Sequence, residues 1–191
     1  MMKKLFETKN LSLILLFGAA AILTGCGAAI SETKTPAAET KTASTDPKTA
    51  ERGTSVGQIA PDFALDKVDG TRFDSKELAG SPSVLVFWTA WCPVCKEEAP
   101  EINKLAAAFE PKGVKVVGIN IGESDARVAD GIKDFGIKYA VAKDKDSTVA
   151  KSYRVVGTPT VVFLDGKGTV RYFGNELPKD YAERLNSILG S

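Results

Sequence analysis

The chain contains no histidine among its 191 residues. Imidazole is the commonest metal ligand and the usual general base near neutral pH, so this absence excludes His-ligated metal centres and Ser-His-Asp triads. It also excludes a haem-attachment motif of the CxxCH kind, because Lys96 stands where that motif requires histidine. The remaining chemistry must therefore use thiols, carboxylates and backbone groups.

Cysteine is scarce and unevenly placed. The three cysteines are Cys26, at the end of an apolar N-terminal stretch, and the closely spaced pair Cys92 and Cys95. One pair and one distant cysteine do not make the disulfide framework of a small secreted domain. The pair predicts a redox-active dithiol. A static disulfide and half of a zinc site are the alternatives, although zinc is disfavoured without histidine or a second CxxC.

The charge pattern gives no sign of a polyanionic partner. Formal net charge is +1, and lysine and arginine are spread among aspartate and glutamate without a basic stripe. We therefore expect no nucleic-acid binding. The 43% hydrophobic content is sufficient for one substantial core, and the length favours a single folded domain.

The N-terminus has the features of an export signal. Lys3 and Lys4 precede an apolar run over residues 11–23, which is shorter than the about 20 residues that span a bilayer. The following sequence, Leu-Thr-Gly-Cys over residues 23–26, resembles the lipobox of bacterial lipoproteins. This resemblance implies a signal peptide over residues 1–25 and a lipid on Cys26. The alternatives are an uncleaved membrane anchor, or ordinary cleavage that leaves a free thiol.

Residues 26–55 differ in composition from the rest of the chain. They are rich in Ala, Thr, Lys, Glu, Ser and Pro and nearly lack large apolar side chains, so burial cannot offset the entropy of ordering them. We interpret this segment as a flexible tether. It would connect a membrane anchor to a globular domain over residues 56–191.

Strand and helix patterns alternate in the globular part. A turn signal at Asp69-Gly70 predicts an N-terminal hairpin. The uninterrupted apolar run over residues 83–88 predicts a fully buried strand. Pro93 suits the first turn of a helix, which Pro100 should interrupt and kink. Further strands are predicted at residues 114–121, 139–142, 160–164 and 169–173, and helices at 125–135, 147–153 and 181–189. The alternation indicates an α/β fold with a mixed sheet and helices on both faces.

Several of these features together resemble the thioredoxin fold, and more narrowly the membrane-tethered, extracytoplasmic thiol-disulfide oxidoreductases of the TlpA/ResA type. The resemblance covers residues 56–191 and includes a strand and helix inserted at about residues 122–142. Its sequence marks are Ala-Pro-Asp-Phe at 60–63, Phe-Trp-Thr-Ala-Trp-Cys at 87–92, Glu98, and Gly-Thr-Pro-Thr at 157–160.

The resemblance implies a protein-disulfide reductase that needs neither cofactor nor metal. Its partners would be thiols and disulfides of exported proteins, among them apocytochrome c during cytochrome c maturation, and a membrane-embedded electron donor. The domain would lie in the periplasm or on the outer face of the cell membrane, held by the lipid on Cys26. One departure is that Val86 stands where cytoplasmic thioredoxins have a buried aspartate.

The expected mechanism follows from the position of the thiols. A helix N-terminus lowers the pKa of a nearby thiol from about 8.5 into the range of roughly 3.5–7.5. Cys92 is therefore the predicted nucleophile and Cys95 the resolving thiol. Glu98, one helical turn beyond Cys95, is the candidate for proton transfer to the resolving thiol or for tuning its pKa.

Four further residues are expected to contact the substrate: Trp91, Pro93, Thr158 and Pro159. The resemblance implies a cis peptide bond before Pro159, with the backbone of Thr158 free to pair with an extended substrate segment. We expect Trp91 and Trp88 to be packing residues, with Trp91 also shielding the thiolate.

Three other functions remain open from the sequence. Thr-Ala-Trp-Cys over residues 89–92 matches part of the peroxiredoxin pattern, although Leu85 replaces the proline of that pattern. The direction of exchange is also open, because small changes in redox potential separate a reductase from an oxidase or isomerase. A holdase or assembly role without electron transfer is the third.

Overall fold

The computed structural model describes residues 51–190. The predicted signal peptide, Cys26 and most of the predicted tether lie outside these residues. The last part of that predicted tether is in contact with the domain, because Arg52 forms an ion pair with Asp62 and the N–H of Gly53 donates to the carbonyl of Ile59. None of the helices within residues 51–190 is long and apolar enough to cross a membrane.

Seven strands form one mixed sheet in the order β2-β1-β5-β4-β3-β6-β7. The central strands β3, β4 and β5 are parallel, and the other neighbours are antiparallel. Two short 3-10 helices, Ser75–Leu78 and Glu110–Lys112, complete the connections. The elements are β1 Ala64–Lys67, β2 Arg72–Asp74, β3 Ser83–Trp88, α1 Pro93–Phe109, β4 Lys115–Ile121, α2 Asp125–Phe135, β5 Ala140–Asp144, α3 Thr148–Ser152, β6 Thr160–Leu164, β7 Val170–Gly174 and α4 Tyr181–Leu189.

The sheet has an apolar layer on each face. All six residues of β3 are buried, and successive side chains of a strand point to opposite faces. Leu85 and Phe87 pack on the face covered by α3 and the N-terminal hairpin. Val84 and Val86 pack on the other face, against α1 and α4. The predicted α/β architecture with helices on both faces is thus confirmed.

The predicted interruption of the helix at Pro100 is wrong. Helix α1 runs without interruption from Pro93 to Phe109 with Pro100 inside it. Proline removes a single backbone hydrogen bond, and the buried face formed by Ala99, Ile102, Leu105 and Phe109 continues across that position. Packing of this face therefore outweighs the local cost of proline.

The strand and helix inserted at residues 122–142 are present as α2 and β5. Strand β5 lies between β4 and the N-terminal hairpin strand β1. Asp144, at the end of β5, is fully buried and accepts the N–H groups of Val149 and Ala150 in α3. Burial raises the pKa of Asp144, and these two hydrogen bonds oppose the rise.

Candidate active site

The cysteine pair lies where the central strand β3 meets helix α1. Cys92 is the N-cap of α1 with an extended backbone, and Pro93 is the first helical residue. The Sγ atom of Cys92 accepts the backbone N–H of Cys95 at 3.1 Å. The sulfur of Cys92 therefore lies among the free N–H groups of a helix start, which stabilise negative charge.

Cys92 and Cys95 are joined by a disulfide bond. Only 3% of Cys92 and 5% of Cys95 is exposed, so access to the bond depends on the groups around it. The pair belongs to a small apolar cluster with Trp88, Ala99 and Val128. Within residues 51–190, no group of three or more acidic or cysteine side chains could hold a metal ion.

The loop before β6 lies beside the disulfide, next to Cys92. The Thr158-Pro159 peptide bond is cis, as expected. The carbonyl oxygen of Thr158 lies 3.3 Å from Cys92 Sγ, and the hydroxyl oxygens of Thr158 and Thr89 are 3.4 Å apart. The structure thus brings the predicted residues Thr158 and Pro159 to the cysteine pair.

Asn175 also contacts this loop, and the sequence pattern did not predict that contact. Its side-chain amide donates to the carbonyl of Pro159 at 3.4 Å and to the hydroxyl of Thr160 at 3.2 Å. It follows β7 and reaches the loop only because β6 and β7 pair. No local motif marks such a contact.

Exposed apolar side chains lie next to the cysteines in the chain and just before the Thr158 loop. Trp91 is 66% exposed, Val94 48% and Val156 93%, and Pro93 is exposed as well. The expectation that Trp91 is a packing residue is wrong, whereas Trp88 is buried as expected. Trp88 lies in β3 between two covered layers, while Trp91 lies in the loop beyond it, where no helix covers the side chain. Such an apolar surface is typical of a binding site.

Glu98 is partly buried, but its hydrogen bond goes to the loop before α4. Its Oε1 accepts the backbone N–H of Leu177 at 3.3 Å. Its Oε2 is buried and has no hydrogen-bond partner among the described residues. Burial raises the pKa of Glu98, the Leu177 N–H opposes this, and the nearby charge of Glu176 adds to it. Proton exchange with Cys95 remains a proposal.

Replacing Glu98 with glutamine should stabilise the protein in a pH-dependent way. A carboxyl group with a raised folded-state pKa favours folding while it is protonated, and this contribution is lost as the pH rises through its folded-state pKa. The ordinary pKa of a glutamate side chain is 4.5. As the pH rises above this value, we therefore expect the free energy of unfolding of Glu98→Gln to exceed that of the wild type by a growing amount. Urea unfolding at several pH values measures this.

Glu97→Gln, at the exposed neighbouring position, is the matched control for this prediction. It should show no comparable pH-dependent gain. Equal pH dependence in the two variants would contradict a buried, destabilised carboxylate at Glu98. Titrating both thiols of reduced Glu98→Gln tests the separate proposal of proton exchange, which unchanged thiol pKa values would exclude.

Glu123 is a second residue that sequence reasoning missed. It follows β4, and its Oε2 accepts the backbone N–H of Ala90 at 2.6 Å, two residues before Cys92. The only signal in the sequence is an acidic residue just after a predicted central strand, a position that often faces a site in α/β folds.

The fold and the site define a class of protein: a dithiol at a helix start, facing a cis-proline loop, is the arrangement of a thioredoxin-like thiol-disulfide oxidoreductase. Comparison with known proteins agrees. Residues 56–173 match the family model described as the AhpC/TSA family. The chain belongs to this family and to the thiol-disulfide oxidoreductases of the ResA type.

Two similar proteins are named thiol-disulfide oxidoreductase ResA. The thiol-disulfide oxidoreductase ResA of Bacillus thuringiensis subsp. konkukian is 32% identical over 140 residues, covering 72% of this chain and 81% of that protein. The ResA of Geobacillus thermodenitrificans is 30% identical over 136 residues, covering 70% and 78%.

Solved structures share the fold. A putative thiol:disulfide interchange protein DsbE from Chlorobium tepidum is 27% identical with a TM-score of 0.67, covering 72% of this chain and all of that one. A secreted Mycobacterium tuberculosis disulfide oxidoreductase, described as homologous to Escherichia coli DsbE, is 30% identical with a TM-score of 0.57, covering 68% and 96%. These names favour dithiol exchange over the peroxidase alternative.

Proposed function

We propose that the chain reduces disulfide bonds of exported proteins through Cys92 and Cys95. The observation that carries this proposal is the placement of Cys92 Sγ, which accepts the N–H of Cys95 and faces the backbone carbonyl of Thr158. A sulfur atom so placed has both a stabilised thiolate form and a neighbouring backbone edge that can align a bound polypeptide.

The exchange proceeds in two steps. The Cys92 thiolate of the reduced protein attacks one sulfur of the substrate disulfide, which forms a mixed disulfide and releases one substrate thiolate, which takes up a proton. Cys95 then loses its proton, and its thiolate attacks Cys92 Sγ, which closes the Cys92–Cys95 bond and releases the second substrate thiolate. Two electrons pass from the protein to the substrate. An external dithiol donor must then reduce the protein again.

The surroundings of the site support a polypeptide substrate. Trp91, Val94 and Val156 are exposed around a cysteine pair that is itself almost fully covered. The proposed contact residues are Trp91 and Pro93, which are exposed next to Cys92, and Thr158 and Pro159, whose loop faces Cys92 Sγ. Apocytochrome c, with its pair of cysteines, is the substrate that the family resemblance suggests, and a membrane-embedded dithiol protein is the proposed donor.

The midpoint potential tests the reducing direction. Equilibration in glutathione buffers, followed by alkylation and mass analysis, should place the Cys92/Cys95 couple nearer to thioredoxin, at about −270 mV, than to DsbA, at about −120 mV. A value close to that of DsbA would contradict a reductase and support an oxidase. A pair that never changes its redox state would exclude both.

The location follows as a separate proposal. We infer an export signal over residues 1–25, a lipid on Cys26 and a tether that starts at residue 26 and ends before Arg52, which already contacts the domain. Together they hold the domain outside the cytoplasm. The supporting observations are the lipobox-like sequence at residues 23–26 and the description of a similar protein as secreted. Attachment through several acyl chains is firm, since each buried methylene contributes about 0.8 kcal/mol.

Cys26→Ser tests the anchor. In a bacterial host fed labelled palmitate, the wild-type chain should carry the label and fractionate with membranes, and Cys26→Ser should lose the label. Cys92→Ser is the control for labelling at another cysteine and should retain it. Label that persists in Cys26→Ser would contradict the anchor.

A further inference from the structure

Glu123 is a buried carboxylate that lies behind the active-site loop and takes no part in the exchange steps described above. Its side chain is only 8% exposed. Its Oε2 accepts two hydrogen bonds, from the N–H of Ala90 at 2.6 Å and from the side-chain amide of Asn120 at 2.7 Å. Its Oε1 lies 3.9 Å from the guanidinium of Arg127. Every polar contact of this carboxylate is therefore made inside the domain.

The backbone around Glu123 directs the side chain toward the loop. Gly122 adopts a left-handed conformation with φ of 67°, which side-chain-bearing residues rarely take, and its N–H donates to the carbonyl of Asp144 at 2.8 Å. This turn follows the end of β4. Asn120 in β4 is paired in register with Trp88 in β3, so Glu123 reaches the segment that follows Trp88.

That segment, residues 89–91, links β3 to Cys92. Besides the Ala90 N–H bonded to Glu123, its polar contacts include the carbonyl of Thr89, which accepts the Cys92 N–H at 3.2 Å, and the Thr89 hydroxyl beside Thr158. Helix α2 is in close contact with it, since a Cβ at Gly131 would lie 2.7 Å from the Cβ of Ala90. The inserted α2 and the carboxylate preceding it thus form the support for this loop.

We propose that Glu123 is a positioning residue for disulfide exchange. By accepting the Ala90 N–H it fixes the loop that carries Trp91 and Cys92, and so sets the reactivity of the Cys92 thiolate. This inference rests on the proposed role of Cys92 as the attacking thiol. Both hydrogen bonds end on one oxygen, so an amide oxygen can replace it, whereas loss of the side chain leaves two partly buried donors, the Ala90 N–H and the Asn120 amide, unpaired.

Glu123→Ala and Glu123→Gln in the full chain separate these possibilities. The measurements are kcat/KM for insulin reduction and the pH dependence of Cys92 alkylation by iodoacetamide. We expect Glu123→Ala to lower kcat/KM by roughly 10- to 100-fold, because a displacement of about 1 Å at a reacting group costs up to about 100-fold. Its alkylation profile should move to higher pH. Glu123→Gln should restore most of both properties.

Asp130→Asn, which changes an exposed carboxylate of α2, is the matched control and should resemble the wild type. A Glu123→Ala protein that melts earlier but keeps wild-type kcat/KM and alkylation at 25 °C would overturn the proposal, because the residue would then be structural only. Equal impairment of Glu123→Ala and Glu123→Gln would also overturn it, since the charge and not the acceptor would matter.

Amide hydrogen exchange in the wild-type protein gives a measurement that does not depend on whether a variant folds. The Ala90 amide should be protected from exchange, and unprotected exchange would overturn the proposal. Failure of the proposed function itself looks different, because the wild type would then reduce no insulin. Failure of the positioning role alone would leave the wild type active and Glu123→Ala equally active.

Discussion

Cys92→Ser is expected to reduce disulfide exchange to the background rate, a loss of roughly 10³-fold or more. The serine hydroxyl cannot form a stable anion at neutral pH, even at the helix start where Cys92 Sγ accepts the Cys95 N–H. Cys95 lies inside α1 and is not its N-cap, so it lacks the position that stabilises the Cys92 thiolate and cannot readily replace Cys92 as the attacking thiol. Insulin reduction with dithiothreitol as electron donor measures this loss.

Cys95→Ser is the matched control, because it removes the other sulfur and leaves the nucleophile in place. It should still attack the substrate but should accumulate the mixed disulfide, since no second thiolate resolves it. Non-reducing electrophoresis and mass analysis would show the trapped substrate. Normal turnover in Cys92→Ser, or trapping by Cys92→Ser in place of Cys95→Ser, would reverse the assignment of the two roles.

Trp88→Ala should produce the largest loss of stability among single changes near the site, about 3–5 kcal/mol in the free energy of unfolding. Trp88 is 1% exposed at the end of β3, and its ring packs against Phe135 of α2 with the ring centroids 5.6 Å apart. The Trp88 ring also lies against Gly118 and Gly131, which have no side chain that could move into the resulting cavity. Urea unfolding followed by circular dichroism measures this loss.

Trp91→Ala provides the comparison, since it removes the chain's other tryptophan from an exposed position. It should change the free energy of unfolding by no more than about 0.5 kcal/mol while raising the KM for a polypeptide substrate. Similar losses of stability in the two variants would contradict the contrast between a buried Trp88 and an exposed Trp91.

Most of the fold could be predicted because the sequence patterns were long and consistent. The run that became β3 consists of six buried residues, and helix α2 begins and ends at the residues predicted for it. Such segments depend mainly on their own apolar pattern. The cysteine pair was equally clear, since two thiols at a helix start leave few interpretations.

The features that could not be predicted depend on contacts between distant parts of the chain. Pro100 is tolerated because the residues of α1 before and after it bury one apolar face of the helix. Local helix propensity does not predict this packing. Trp91 looks like a core residue from its chemistry alone, and only the end of β3 decides that it lies outside. Asn175 and Glu123 act on loops 16 and 33 residues away in sequence.

The pairing of β5 has a consequence for how the domain could be shortened. The N-terminal hairpin pairs with β5 and not with β4. The hairpin and the inserted segment that contains β5 therefore depend on each other. Deleting the inserted segment would leave the hairpin without its neighbouring strand, and deleting the hairpin would turn β5 into an open edge. A minimal version of this protein would have to lose both together or keep both.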